Sequence, residues 1–496
     1  MLCRVYILAG FHVRKVVEYD GISDLFTKAW NMSIASRLWV RVRGGVHPPG
    51  SKDFTAAKPI REIEAPSLLT IPMRQHLGAP CVPRVKKGDE VAMGMVIGDC
   101  ESFVSAPIHS SVSGKVAQVA PQPHPAGGEI LAVIVENDGE YRSDPSLSPP
   151  GSWEDMDGNA IREAIRAAGI VGLGGAAFPT HVKLNPPREY PIDTVILNGA
   201  ECEPFLTSDY RLMLEQPDVV LEGLLIIMRV VGAARGIIAI EDNKPQALKK
   251  MAAASKDTDI EVSHLRTRYP QGAEKVLITG LLGREVPSGG LPMHVGVVVN
   301  NVGTAFAIAT YFSTGMPLIK RVVTVTGSIV REPSNLMVPL GTSFAHAIEA
   351  CGGFTEPPGK VLMGGPMMGL AQYTLDVPVI KGTSGILALS HKETDYAEPS
   401  EPVCIRCGRC VEACPMGLIP TYLASYAYNE KWDELRRLDI ADCIECGCCN
   451  YTCPTKNPMV QLIKMGKAEL ARLRDRSEKG REASGSAEAK GGGGDG

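Results

Sequence analysis

The amino-acid sequence predicts a multidomain α/β + β protein that closes with a helical, cysteine-rich domain, and three observations carry that reading. The chain has 496 residues, 44% of them hydrophobic and 21% charged, which is enough to bury several separate cores and too long for one small module. Its texture changes along its length, from short apolar pieces punctuated by Gly, Pro and Asp, to strands alternating with helices, back to short strands, and finally to helices. Nine of the fourteen cysteines fall between Cys404 and Cys453, while Cys3, Cys81, Cys100, Cys202 and Cys351 are scattered.

Several classes are excluded at once. With 51 basic and 55 acidic side chains the formal net charge is −4, which gives no bias toward nucleic acid or an anionic membrane. Thiols clustered late in a long chain do not form a disulfide scaffold; they point to metal binding, and scattered single thiols suit a reducing cytosol. The apolar residues 1–11 are followed by His12, Arg14 and Lys15, the reverse of a secretory leader. Residues 219–240 are broken by Glu222, Arg229 and Arg235, and residues 295–312 hold Asn300 and Asn301 at their middle. Neither offers the roughly 20 clean apolar residues of a bilayer span, so membrane association is expected through a partner.

Taken in order, residues 1–42 show no clear period and read as an extension whose composition differs from that of the neighbouring domain. Residues 43–137, beginning "RGGVHPPGSKDF", hold strands of three to six residues with turn residues between them, as in a small all-β sandwich or barrel. The segment resembles the barrel-sandwich hybrid of lipoyl and biotinyl carrier domains, but no lysine lies between Gly98 and Gly114, where a carrier lysine would sit; a structural role is expected. Residues 138–153 form a Pro-, Ser- and Gly-rich linker. From 154 to 312, a helical pattern to Ala168, a glycine turn, the run "TVIL" at 194–197, a long helical stretch over 217–231 and the run "GIIAI" at 236–240 describe an α/β layer domain. Two short strands, a turn and a helix in 313–375 resemble a β-grasp module of the soluble-ligand-binding (SLBB) type. Residues 376–402 read as a connector, 403–474 as helices around the cysteines, and 475–496 as a tail too poor in apolar residues to fold.

The cysteines carry the strongest chemistry. Cys404, Cys407, Cys410 and Cys414 precede Pro415, and Cys443, Cys446, Cys449 and Cys453 precede Pro454, so C-x2-C-x2-C-x3-C-P occurs twice. In this spacing the first three thiolates wrap three corners of one [4Fe-4S] cube and the fourth, turned away at the proline, reaches the other cube. One cluster is therefore expected on Cys404, Cys407, Cys410 and Cys453, and the other on Cys443, Cys446, Cys449 and Cys414. Cys448 is left over. Zinc is the competing assignment, but no histidine falls inside this region. The 28 residues between Cys414 and Cys443 read as two helices, which makes this a helical ferredoxin domain whose two close cubes relay single electrons.

A glycine loop alone, "GLGGAAFPTHVK" at 172–183, is no more than a helix C-cap and turn. Three later pieces give it company: "LNGAECEPFLTSD" at 197–209, "QGAEKVL" at 271–277 and "VVNNVGTAFAI" at 298–308. Together and in this order they resemble the flavin- and NADH-binding subunit family of respiratory complex I. The resemblance implies FMN and NAD(H). It further implies that Gly172, Gly174 and Gly175 let the backbone approach flavin and nucleotide, that Lys183 offsets phosphate charge and that Phe178 stacks on the nicotinamide nucleotide. By the same resemblance Asn198, Asn300 and Asn301 hydrogen-bond the flavin, and Glu201, Glu203 and Glu274 line the NADH pocket. Ala200, Ala177 and Ala273 depart from the family pattern, which bears on nucleotide affinity more than on fold.

The whole order, from "RGGVHPP" through the flavin domain and β-grasp module to the two cysteine repeats, resembles the RnfC family of the Rnf electron transport complexes. That resemblance implies a peripheral NADH/FMN/iron-sulfur subunit on the cytoplasmic face of the cell membrane, docked on integral and ferredoxin-like Rnf-type subunits. It further implies that electron exchange between NAD(H) and ferredoxin is coupled to movement of Na+ or H+. Two other readings stay open: a soluble cobalamin reductase, which the leading "GGVHPP" domain disfavours, and an electron-relay adaptor that binds no NADH, which Ala200 and Ala273 keep alive.

Overall fold

The computed structural model describes residues 43–394 and 403–491. The extension 1–42 lies outside the described residues. Among the described residues no helix is long and apolar enough to cross a membrane.

The β domain is two facing sheets. Four antiparallel strands, in the spatial order Leu68–Pro72, Glu129–Asn137, Gly114–Pro123 and Glu90–Val91, pack against three short ones, Val82–Pro83, Val96–Asp99 and Ile108–His109. Strand alternation supplies the core: Val133 and Val135 point inward with Leu69, Ile71, Ile97 and Ile108, all fully buried. The last strand ends at Asn137, where the turn residues of the linker begin.

Residues 43–62, which the sequence groups with this domain, lie elsewhere. Val46 bridges to Tyr269 of the α/β domain, and Ile60–Glu62 pairs in parallel with Ser334–Pro339 of the next sheet. The cause is the absence of regular strand periodicity in "GGVHPPGSKDF", which leaves this segment to be placed by whatever backbone and pockets it meets.

The α/β domain holds a four-stranded parallel sheet in the order Glu261–Leu265, Arg235–Glu241, Thr194–Gly199, Val297–Asn301. In chain order this is 3-2-1-4, so the winding reverses between Thr194–Gly199 and Val297–Asn301. The helix Pro217–Val231 opens on a proline at its first turn, closes on Gly232 at φ 70°, and buries Val220, Leu224, Ile227 and Val230. It lies so close to the helix Val302–Thr314 that a Cβ on Gly223 would stand 2.0 Å from the Ala305 carbonyl oxygen.

The third sheet has six strands in the order Ile60–Glu62, Ser334–Pro339, Lys320–Thr326, Gly385–Leu389, Lys360–Met363, Leu370–Ala371. The hairpin and the helix Phe344–Glu349 follow the β-grasp order. One correction concerns residues 376–402: the expected connector contributes Gly385–Leu389, a near-central strand paired with both Lys320–Thr326 and Lys360–Met363. "GILAL" is a short, continuous apolar run, the pattern of a strand buried on both faces, which has no alternation to reveal it. A single buried cluster runs through the α/β domain and this sheet, from Ile161 and Leu197 to Phe344 and Ile386.

The cysteine-rich domain is helical: Arg409–Ala413, Pro420–Tyr428, Trp432–Arg437, Cys448–Thr452 and Met459–Gly491. The last of these corrects the expectation of an unfolded tail, since helical backbone continues to Gly491. Ala, Glu, Lys and Arg dominate residues 467–490, and their helix propensity extends a helix nucleated on buried Met459, Val460 and Ile463.

Candidate functional site

In an open parallel sheet, ligands bind beyond the carboxyl ends of the strands at the point where the winding reverses. Here that point lies between Asn198 and Asn301, which face each other in register at the ends of the first and fourth strands. The glycine loop closes over the same end. Its base is pinched by Gly172 N–H donating to the Phe178 carbonyl (2.8 Å) and by the bridge between Val171 and Pro179. Leu173 is held on both sides: its N–H donates to Thr304 Oγ1 (2.9 Å) and its carbonyl accepts from the buried Arg321 Nη2 (3.2 Å). Gly174, Gly175 and Ala176 at the tip are exposed, and Phe178 is half-buried.

The loop needs its glycines for two different reasons. Gly175 has φ 137°, a conformation that L side chains rarely adopt, and nothing lies within 4 Å of where its Cβ would be. Gly174 lies outside the left-handed region, but a Cβ there would press against Asn301 at 3.1 Å.

The polar residues divide by what they already hold. Asn301 caps the helix Val302–Thr314 by accepting from Gly303 N–H (2.8 Å) and donates from Nδ2 to Asp209 (2.6 Å). Asn198 donates to the Gly272 carbonyl (2.8 Å) and accepts from Ala200 N–H (3.2 Å). Asn300, 5% exposed, has a buried Nδ2 with no hydrogen-bond partner. A buried amide left open at a strand end carries a desolvation cost that a ligand acceptor would remove. An orphan donor and a side-chain-free loop at the winding reversal fit a bound flavin nucleotide.

The acidic residues are less free than their motif implies. The Glu201 carboxylate accepts from Asp209 N–H (2.8 Å) and Tyr210 N–H (3.2 Å) and so caps the helix Ser208–Glu215. The Glu203 carboxylate accepts from Met367 N–H (3.2 Å) and Met368 N–H (2.8 Å), and burial pushes it up to about 7. Glu274 forms an ion pair with Lys183 at 2.6 Å, both partners about one-third exposed. Burial, then the Glu201 charge, also raises Asp209 to about 7.

Sequence reasoning passed over the cations that tie this region down. Lys52 Nζ donates to the carbonyls of Glu201 (2.9 Å), Glu203 (3.0 Å) and Leu206 (2.5 Å). Lys244 Nζ, buried, donates to the Ala200 carbonyl (2.6 Å) and to Glu241 (2.9 Å). Both lysines sit in ordinary surface-like sequence, "GSKDF" and "DNKPQ", so only their carbonyl partners reveal the role.

The two cysteine repeats fold alike. Gly408 (φ 76°) and Gly447 (φ 79°) cap matching short helices, and Arg406 (φ 56°) and Glu445 (φ 57°) take the same left-handed turn before them. Cys414 and Cys453 end those helices with nearly identical dihedrals, −71°, 115° and −72°, 118°. One cavity is lined by Cys414 together with Cys443, Cys446 and Cys449, and Cys448 stands in its wall. The fourth cysteine of the first repeat thus meets the first three of the second. On the other side, Cys410 and Cys453 pack in one apolar cluster with Met459 and Val460, while Cys404 and Cys407 are exposed. Among the described residues no three His, Cys, Asp or Glu side chains converge on a single ion, whereas four thiols spread round a cavity suit a polynuclear cluster.

The two sites adjoin. Val46, Tyr269, Ala413, Cys446 and Cys448 form one buried cluster, with Cys202 and Met367 packed on it. Tyr269 Oη donates to the Cys446 carbonyl (2.7 Å), and Gly272, whose carbonyl holds Asn198, donates its N–H to Cys202 Sγ (3.4 Å). Cys448, the extra thiol, donates weakly to the Tyr269 carbonyl at 3.9 Å and is fully buried.

Comparison with known proteins agrees with this layout. Family profiles match the RnfC barrel sandwich hybrid domain over residues 40–140, the Nuo51 FMN-binding domain over 165–310, the SLBB domain over 322–371 and a 4Fe-4S dicluster domain over 403–457. Over 429 residues the chain is 48% identical to the C subunit of the Na(+)-translocating ferredoxin:NAD(+) oxidoreductase complex of Acetobacterium woodii, covering 86% of this chain and 96% of that one. It is 48% identical over 428 residues to the proton-translocating counterpart of Clostridium ljungdahlii, covering 86% and 93%. Against the C subunit of the ion-translocating oxidoreductase complex of Rhodobacter capsulatus the identity is 40% over 439 residues, covering 88% and 84%. Flavin-type loop, crossed thiol cavity and kinship over most of the chain coincide, and the chain belongs to the RnfC family, the C subunits of ion-translocating ferredoxin:NAD(+) oxidoreductase complexes.

Proposed function

We propose that this chain is the peripheral subunit through which NADH exchanges electrons with a membrane-bound complex that couples NAD(H)–ferredoxin electron transfer to Na+ or H+ translocation. The observation that carries the reading is the adjacency of the two sites: residues 269–272 touch both Asn198 of the flavin region and Cys446 of the thiol cavity. Bound FMN supplies the conversion between hydride transfer with NADH and single-electron transfer with the clusters. The chain's residues supply the rest. The 172–178 loop, held at Leu173 and bare at its tip, offers backbone amides to phosphate. Asn300 offers its open amide to the flavin, Asn198 and Asn301 shape the floor beneath it, and Lys183 with Glu274 sets the charge at the edge where NADH enters beside Phe178. Glu201 and Glu203 act by fixing the loop between them. Cys404, Cys407, Cys410 and Cys453 hold the outer cluster, and Cys414, Cys443, Cys446 and Cys449 the inner one. The partners are the other subunits of such a complex, integral and ferredoxin-like, at the cytoplasmic face.

Anaerobic purification should yield about eight irons per chain with one FMN, and NADH titration should bleach flavin and then cluster absorbance. Flavin that stays oxidised under NADH while dithionite reduces the clusters would overturn the reading in favour of a relay without nucleotide binding, the alternative that Ala200 and Ala273 keep open. Clusters and flavin that pass electrons to cobalamin but not to ferredoxin would favour the soluble reductase.

A further inference from the structure

The segment 43–52 belongs by sequence to the β domain and by contact to the seam between the two redox sites. Gly45 N–H donates to the Ala413 carbonyl (2.8 Å), and Val46 exchanges both backbone hydrogen bonds with Tyr269 (2.7 and 3.0 Å). Gly44, at φ 65°, lies against the carbonyl of Cys414: a Cβ there would stand 2.4 Å from that oxygen, where ordinary contact begins at 3.4 Å. Gly45, at φ 81°, is also too close for a side chain, its Cβ falling 2.7 Å from the Tyr269 carbonyl. Farther on, Phe205 N–H donates to the Gly50 carbonyl (2.8 Å), and Lys52 closes the segment on the carbonyls of Glu201, Glu203 and Leu206. One strap therefore touches the Cys414 loop, the Tyr269 loop and the 201–206 loop within ten residues, and its two consecutive left-handed glycines admit no side chain where it crosses Cys414 and Tyr269.

We propose that residues 44–52 are a positioning strap for electron transfer, setting the gap between the flavin region and the inner thiol cavity by clamping Cys414 against Tyr269. The proposal rests on the flavin and cluster reading above. With flavin and clusters bound, the two electrons of a hydride from NADH would leave the flavin one at a time through the inner cluster, and the accompanying proton would pass to solvent. Tunnelling between centres falls exponentially with their separation, so the clamp would act on rate through the backbone positions it fixes. Val46 and Tyr269 contribute as positioning residues, Tyr269 also through its hydrogen bond to the carbonyl of Cys446.

Gly44→Ala in the full chain is the direct test, because relief from 2.4 to 3.4 Å requires the Cys414 backbone to retreat by about 1 Å. Gly50→Ala is the matched control, with nothing within 4 Å of its new methyl group. Tyr269→Phe removes one hydroxyl and keeps the ring. Stopped-flow traces should show NADH bleaching the flavin equally fast in all forms. Cluster bleaching should slow several-fold in Gly44→Ala, measurably but less in Tyr269→Phe and not at all in Gly50→Ala, at unchanged iron and flavin content. In the apoprotein, amide exchange at residues 409–417 should accelerate in Gly44→Ala alone. Unchanged cluster kinetics in both Gly44→Ala and Tyr269→Phe would overturn the proposal. If Gly44→Ala fails to load iron, Tyr269→Phe decides alone by the same criterion. If NADH does not bleach the wild-type flavin, the functional reading has failed, and unchanged exchange at 409–417 in the apoprotein still overturns the strap.

Discussion

The two cysteine repeats share spacing, turn conformation and helix caps, yet one is solvent-facing and the other interred. Cys404 and Cys407 are exposed, with Val403 63% and Ile405 61% exposed beside them. Cys443 and Cys446, their counterparts in the second repeat, are half-buried and buried, and Gly447 sits so near the Met367 carbonyl that a Cβ would stand 2.8 Å away. Identical local motifs therefore give identical local backbones, and the burial of each is decided by what packs on it: the strap, Tyr269 and the 364–369 turn cover the second repeat. An inner site next to the flavin region and an outer site at the surface follow from that asymmetry, which is the arrangement a relay needs.

The largest effect is expected from removing the thiol that crosses from one repeat to the other. Cys414→Ser should cost about half the iron, and the loss should fall on the inner cluster, because Cys414 lies in the cavity of Cys443, Cys446 and Cys449. Iron and sulfide determination with paramagnetic resonance of the reduced chain checks it; loss confined to the outer cluster would mean that each repeat ligates its own. Next in size is the difference in access. Ferricyanide should bleach the wild type in two phases of equal amplitude, the fast one belonging to the exposed set, and Cys404→Ser should abolish the fast phase alone. A single phase would show that burial does not distinguish the two clusters.

Burial has a measurable consequence away from the cysteines as well. Lys381 is fully buried where the β domain meets the α/β domain and donates to the carbonyls of Pro107 (2.8 Å) and Gly169 (2.7 Å). Burial pushes it down to about 7 from an ordinary 10.5, so the folded state penalises its charge. Below pH 7 folded and unfolded chains both carry the proton and the penalty is complete; between about 7 and 10.5 the unfolded chain binds more proton, and stability rises with pH. The gain is at most about 5 kcal/mol. Neighbouring His109, pushed down to about 3 by burial, is neutral throughout that window. Calorimetry of the apoprotein should show Tm climbing from pH 7 to 10 relative to Lys381→Met, which removes the charge; parallel curves would show that Lys381 stays charged in the folded chain across this window, as it does in the unfolded one.

The smallest expected effect returns to the repeats. Glu445 accepts an ion pair from Lys467 (2.6 Å), which also donates to the Cys443 carbonyl (3.0 Å), whereas the corresponding position of the first repeat is Arg406. Half-exposed pairs of this kind contribute about 0.5–1 kcal/mol, so Glu445→Ala should lower Tm by a few degrees at most and leave iron content unchanged. Loss of iron would instead make Glu445 part of the inner cluster's support.

Much of this protein was legible in its sequence because the signals are local. Eight cysteines in two C-x2-C-x2-C-x3-C-P runs state their chemistry through spacing, since a turn of a few residues decides which thiolates converge. The glycines of the 172–178 loop and the long helix Pro217–Val231 are equally local, written in backbone freedom and in a 3.6-residue period. Contacts between residues distant in the chain settled the rest. Glu201 and Glu203 read from their motif as pocket carboxylates, and the motif gave no sign of the N–H groups at Asp209, Tyr210, Met367 and Met368 that they accept from in the fold. Gly385–Leu389 looked like a connector and is a near-central strand, because its neighbours are strands some twenty and sixty residues earlier in the chain. The strap at 44–52 shows the division most clearly: composition announces an irregular, glycine-bearing segment, but its course past Cys414, Tyr269 and the 201–206 carbonyls is set by backbone hydrogen bonds and close approach, which carry no side-chain signature to read.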